Sequence, residues 1–159
     1  MIGVIATLVL LSSNCYQQPV HARVVDPFRA PPCVFCSGNR GLEYQPRTGA
    51  PVVAAAPGIV TFSGVVAGLR YLVIAQSDGR TATYGRLAVV RVAVGATVRP
   101  GEAIAATTER FYFGLRQGDR YIDPAPFLGV ARYRPRLVPV DGSAPRPAPP
   151  PTMTCAASP

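Results

Sequence analysis

Short runs of strand-forming residues, separated by glycine and proline, dominate the chain from Pro51 onward. Valine, isoleucine, threonine and tyrosine, which favour extended backbone, are common in these runs. Asp78-Gly79, between two of the runs, is a strong signal for a hairpin turn. No segment repeats its apolar residues with the period of a helix. The sequence predicts an all-β fold, an antiparallel sandwich or barrel-like sheet of hairpins. The predicted strands are 51–56, 58–66, 71–77, 80–87, 89–94, 102–107 and 110–116.

The N-terminal residues 1–22 have the layout of an export signal. Ile2–Ser13 is an apolar run that is short for a membrane span. Val20-His21-Ala22 then supplies the small residues that precede a cleavage site, so we expect cleavage after Ala22. Two alternatives are an uncleaved N-terminal anchor and a lipid anchor at Cys15. Only these alternatives would attach the chain to a membrane.

The remaining chain divides into one domain and a tail. The domain is predicted to cover residues 23–136, with residues 23–38 as an N-terminal loop. Residues 137–159 are rich in proline, alanine and serine and offer little apolar surface to bury. We expect this tail to be disordered.

The chain is basic, with a formal net charge of +8, and all sixteen of its basic residues are arginine. A basic exported protein is attracted to anionic partners such as cell-wall polymers. The arginines are scattered, with few aromatic residues between them, which argues against binding to nucleic acid. The composition therefore favours a secreted or cell-envelope protein of a bacterium.

Cys33 and Cys36 form a CVFC pair ahead of the predicted strands. Outside the cytosol such a pair is normally oxidised, and the preceding Pro31-Pro32 does not suit a thioredoxin-type redox motif. We predict a structural Cys33–Cys36 disulfide. Cys15 is expected to leave with the signal, and the pairing of Cys155 stays open.

Four motifs in one order give the chain a family resemblance. They are GNRGLEY followed by TGAPVVAAAPGIVTFSG, then YLVIAQSDGRTATYGRL, then the repeated V..G spacing from Val92 to Ile104, and finally RFYFGLRQGDRYIDPAPFLG. In this order they resemble the lysostaphin/LytM-type metallopeptidases, which have the duplicated hybrid motif fold. The resemblance implies a domain of the kind that cleaves peptide cross-links in peptidoglycan with one zinc ion.

The resemblance also locates the metal centre, and every position in it differs here. Asn39 lies where the family has its first zinc histidine, Glu43 where it has the zinc aspartate, and Tyr112 where it has the second zinc histidine. Arg110 and Arg86 take the places of the two assisting histidines. The only histidine of the chain is His21, inside the predicted signal. We therefore expect no catalytic residue, no metal and no cofactor.

These substitutions suggest a module without catalytic activity, in which Asn39, Glu43, Arg86, Arg110 and Tyr112 line a groove. Arginine forks suit the carboxylates of peptidoglycan stem peptides, and Tyr112 and Phe113 would pack against sugar or peptide. We expect the partner to be peptidoglycan or a cell-wall hydrolase that the module regulates.

Three alternatives stay open at this stage. The groove residues could simply fill the vacated pocket, with arginine pairing to Glu43. The protein could be an active zinc endopeptidase with a rebuilt ligand set of Cys33, Cys36 and Glu43. It could also be a structural domain that binds a partner through a strand edge or its proline-rich tail.

Overall fold

The computed structural model describes residues 15–33, 35–135, 139–140, 142–144 and 147–156. Within these residues the fold is all-β, as the sequence predicts: every strand pair is antiparallel and the only helix is one 3-10 turn. No helix in this part of the chain is long and apolar enough to cross a membrane. The strands are β1 Val24–Asp26, β2 Gly41–Tyr44, β3 Pro51–Val53, β4 Gly58–Val66, β5 Leu69–Gln76, β6 Arg80–Val90, β7 Thr97–Val98, β8 Ala103–Gln117, β9 Arg120–Ile122, β10 Val130–Arg132 and β11 Thr152–Thr154.

The main sheet follows the order β1-β2-β8-β6-β5-β4-β7, and β3 and β9 also pair with β8. Strand β8 is 15 residues long and joins the predicted runs 102–107 and 110–116 into one strand. Opposite it, β6 joins the predicted run 80–87 to the first two residues of the run 89–94, and residues 91–94 are not in a strand. The register between β6 and β8 shifts on both sides of Leu87. Bulges at these shifts allow each strand to continue where the sequence predicts an interruption.

The core lies on one face of these central strands. Its largest fully buried side chains include Tyr44 on β2, Tyr84 on β6, and Phe111 and Phe113 on β8. Their rings pack pairwise at centroid distances of 5.2 to 6.5 Å. The Tyr84 hydroxyl accepts a hydrogen bond of 2.9 Å from the backbone N–H of Ala55. The sequence suggests that Phe113 lines the groove, and this expectation is wrong, because Phe113 is a core residue.

Residues 15–22, the N-terminal strap, pack against this body. Tyr16 exchanges backbone hydrogen bonds with Phe127 (2.9 Å) and Gly129 (2.7 Å). The side chains of Tyr16 and Val20 are each only 3% exposed and belong to the core cluster. The structure thus differs from the predicted domain start at Arg23, because two apolar residues taken as part of a signal complete the core.

A disulfide joins the strap to the C-terminal segment. Cys15 bonds to Cys155, with their Cα atoms 5.6 Å apart. Next to it, β11 pairs with β10 over Thr152–Thr154. A segment of the predicted disordered tail therefore has strand structure, because a disulfide and a two-strand ladder fix it. The predicted signal residues 1–14 and several tail residues lie outside the described part of the chain.

We predict that a chain beginning at Arg23 is less stable than one beginning at Cys15 by on the order of 5 kcal/mol. Two buried side chains and a disulfide that closes a long loop are lost. Denaturant unfolding of the two oxidised chains measures the difference.

A third chain, beginning at Cys15 and carrying Cys15→Ser and Cys155→Ser, separates the disulfide from the packing. We expect it to lie between the other two. Equal stability of all three chains would mean that the strap contributes nothing to the fold.

Candidate functional site

Three of the predicted groove residues lie on the face of the sheet opposite the core: Glu43, Arg110 and Tyr112. Along β2, β8 and β6, Glu43 is directly opposite Tyr112, and Tyr112 is opposite Gly85. On β5, the next strand, Tyr71 is opposite Gly85. Since side chains alternate along a strand, the flanking core residues direct this row away from the core. We call this surface the open face.

Two arginines hold the carboxylate of Glu43. The guanidinium of Arg86 donates to one carboxylate oxygen at 3.1 Å, and that of Arg110 donates to the other at 3.3 Å. Arg86 has a φ of +60°, an uncommon conformation for a residue other than glycine, at one of the register shifts in β6. The hydroxyl of Thr108 lies 3.0 Å from the Arg86 carbonyl oxygen and 2.7 Å from that of Arg110. Three predicted groove residues are therefore joined in one ion-paired cluster, the Glu43 clamp.

Asn39 does not join the clamp. Its side chain is buried, and its amide donates to the backbone carbonyl oxygens of Asp26 (3.2 Å) and Pro27 (3.1 Å). Its amide oxygen accepts a bond of 3.3 Å from the N–H of Gly41. Asn39 thus fastens the loop before β2 to the chain around β1, a structural use of the side chain that the sequence did not predict.

Tyr112 lies over two glycines of the neighbouring strands β2 and β6 and one of its own strand. A Cβ atom added at Gly41 would come within 2.8 Å of the Tyr112 ring, and one added at Gly114 within 2.9 Å. At Gly85 an added Cβ would be 3.3 Å from the same ring. The missing side chains therefore make the space that the ring occupies. Burial is the main cause that raises the pKa of the Tyr112 phenol above its ordinary value, and the nearby Tyr121 and Tyr71 add to it.

The open face continues into tyrosines and arginines that the sequence analysis missed. The guanidinium of Arg40 lies 5.7 Å from the ring centroid of Tyr121, and that of Arg116 lies 5.9 Å from it. These distances are within the range of cation–π attraction. Tyr71 and Tyr121 are at no predicted site position, so only the register of the strands reveals that they share this face with Tyr112.

A cleft of about 400 Å³ lies beside Tyr121. The predicted Cys33–Cys36 disulfide is present, with Cα atoms 5.0 Å apart, and Cys33 lines the cleft. Because both sulfurs are bonded to each other, neither cysteine is a thiolate that could ligate a metal alongside Glu43. The alternative of a rebuilt Cys33, Cys36 and Glu43 ligand set is therefore not met in this structure.

Potential metal ligands are sparse in the part of the chain that the structure describes. No group of three or more histidine, cysteine, aspartate or glutamate side chains is arranged there to hold a metal ion. His21 is in the N-terminal strap and lines a different cleft, of about 550 Å³, together with Gln17, Gln18 and Met153.

The fold has known relatives. Residues 37–124 match peptidase family M23. Helicobacter pylori Csd3 superposes with a TM-score of 0.64 at 23% identity, over 72% of this chain and 34% of that chain. LytU gives 0.59 at 25% identity, over 67% and 83% of the two chains. The catalytic domain of lysostaphin from Staphylococcus simulans gives 0.60 at 20% identity, over 67% and 91%.

A relative by sequence is the uncharacterized protein Rv2891 of Mycobacterium tuberculosis, 30% identical over 162 residues. That alignment covers 85% of this chain and 64% of the relative, so the chain spans less than two thirds of the relative's length. The family match, in contrast, covers more than half of this chain and contains both the Glu43 clamp and Tyr112. The chain belongs to peptidase family M23.

Proposed function

We propose that this chain is a member of peptidase family M23 without catalytic activity, and that its open face binds peptidoglycan. The Glu43 clamp carries the proposal. At the position where the family resemblance puts the zinc ion, two guanidinium groups hold the one remaining carboxylate. A cation bound there would have to displace them.

The donor set does not fit zinc. A catalytic zinc site uses three protein ligands, most often histidine and carboxylate, and leaves one position for water. The phenol of Tyr112 has a raised pKa and stays protonated at neutral pH. The amide of Asn39 is used in backbone hydrogen bonds, and the guanidinium groups of Arg86 and Arg110 repel a cation.

Acid–base chemistry is lacking as well. The family resemblance assigns proton transfer to histidines, whose places Arg86 and Arg110 take. Arginine stays protonated in proteins and does not act as a base. His21, the only histidine in the sequence, lines a cleft on the N-terminal strap. We therefore derive no hydrolytic step for this chain.

The same face offers groups suited to recognition. The Glu43 clamp contains two arginines and one carboxylate, so it keeps one net positive charge. The side chain of Arg110 is 53% exposed and can fork onto a further carboxylate, such as those of peptidoglycan stem peptides. Tyr112 and Tyr121 provide flat apolar surface beside Arg40 and Arg116. Anionic wall polymer is thus a chemical match for this surface.

The two disulfides support a location outside the cytoplasm. Disulfides persist in oxidising compartments and are rare in the cytosol. The net charge of +8 favours retention on an anionic wall. If the protein regulates a cell-wall hydrolase, the hydrolase would bind the same open face. Competition between the hydrolase and peptidoglycan for binding to this face would indicate the regulatory role.

We expect the oxidised protein to purify with well under one zinc per chain, and to leave peptidoglycan uncleaved when zinc is added, because the ligands do not fit. Mass spectrometry of the metal content and chromatography of digested wall measure both. Stoichiometric zinc that survives dialysis would contradict the proposal.

We predict that washed peptidoglycan retains the protein, that salt weakens the retention, and that Arg110→Ala or Tyr112→Ala reduces it several-fold. Screening by salt weakens contacts between exposed charges. Arg99→Ala is the matched control, since it removes one exposed arginine from the turn before β8. An equal loss in Arg110→Ala and Arg99→Ala, with no loss in Tyr112→Ala, would indicate attraction by net charge alone, without a site.

We further predict that Gly114→Ala weakens wall binding without changing any charge, because the new methyl group forces the Tyr112 ring out of its place. It should also lower the free energy of unfolding by about 1–3 kcal/mol, as overpacking does. In a Tyr112→Ala background both effects should disappear. Effects that persist in that background would mean that the ring does not depend on Gly114.

A further inference from the structure

Strand β4 lies near an end of the main sheet, and much of one side of it is unpaired. Its inner side pairs with β5 from Gly58 to Val66. Its outer side pairs with β7 only at Gly58 and Ile59, and the backbone of Val60 bonds to Gly95 and Ala96. Beyond that point no strand among the described residues pairs with the outer side. The segment Thr61–Val66 is the β4 edge.

Apart from a register shift between Val60 and Phe62, the β4 edge lacks the usual protections against pairing with another strand. Natural edge strands carry charges, proline or inward-pointing polar groups. Here the sequence is TFSGVV, with Phe62 41%, Val65 60% and Val66 53% exposed. The opposite end of the sheet differs, because β1 carries Asp26, which forms an ion pair with Arg29.

The distribution of charge indicates which partner fits. The sequence contains sixteen basic and eight acidic residues, and none of them lies between Thr48 and Leu69. An acidic partner would be drawn to the arginine-bearing surfaces in preference to this one. Two copies of a chain with net charge +8 repel each other least where both are uncharged. An antiparallel contact between identical strands is also self-complementary about a two-fold axis.

We propose that the β4 edge pairs with the β4 edge of a second copy, so that the two main sheets become one continuous sheet. Residues opposite each other in such a ladder share a face. A Cβ added at Gly64 would lie 2.9 Å from the Phe62 ring, so Phe62 lies on the same face as Gly64. An axis at Gly64 sets Phe62 of one copy opposite Val66 of the other, an aromatic and β-branched pair of the kind that stabilises sheets.

The test is sedimentation equilibrium of the full oxidised chain over a range of concentrations. We expect a monomer–dimer equilibrium, and Val65→Lys should raise its dissociation constant about tenfold or more, because it brings two like charges together near the axis. The control is Val130→Lys, which changes a valine of similar exposure (58%) on β10, in the separate two-stranded sheet, and should leave the constant unchanged. Hydrogen exchange at Thr61–Val66 should slow as the concentration rises.

Three results would overturn the proposal. One is a monomer at every concentration. Another is a dimer that Val65→Lys does not weaken, and the last is equal weakening by Val65→Lys and Val130→Lys. Wall binding by the open face does not enter this test, since the β4 edge and the Glu43 clamp lie on different strands.

Discussion

The backbone pairing of β8 is the interaction on which the other parts of the structure depend. This single strand bonds to β2, β3, β6 and β9. It supplies Phe111 and Phe113 to the core and, in alternation with them, Arg110 and Tyr112 to the open face. A slip of one residue in its register would exchange these two sets of side chains. The core therefore fixes which residues face the solvent, and the composition of the open face follows from it.

On the open face, opposite charges are paired within a small area. Glu43 lies between Arg86 and Arg110, and its carboxylate accepts a hydrogen bond from each of them. From the sequence alone, one alternative is that arginine pairs with Glu43 and fills the vacated pocket, and the observed contacts agree with that pairing. The pairing does not use up the face, because Arg110 stays half exposed and the tyrosines beside the clamp offer apolar surface.

Local sequence patterns were enough to predict the fold class. Contacts between residues far apart in the sequence could not be predicted from such patterns. The Asp78-Gly79 hairpin is present, with Gly79 at a φ of +85° as such turns require. The Cys33–Cys36 disulfide is also present, and it could be predicted because its two cysteines are three residues apart in the sequence. The Cys15–Cys155 bond spans 140 residues and had no local signal. Asn39 and Tyr112 show the same limit at the site, since backbone carbonyls and glycines from other strands decide where their side chains lie.

The Cys15–Cys155 bond also determines how the domain bears load. Because the two cysteines lie near the two ends of the described chain, a pull applied between those ends passes through a covalent bond and bypasses the sheet. The hydrogen bonds of β8 and β6 would then carry little of the tension. In an oxidising compartment, a domain fixed at one end to a large polymer and pulled at the other would keep its open face intact.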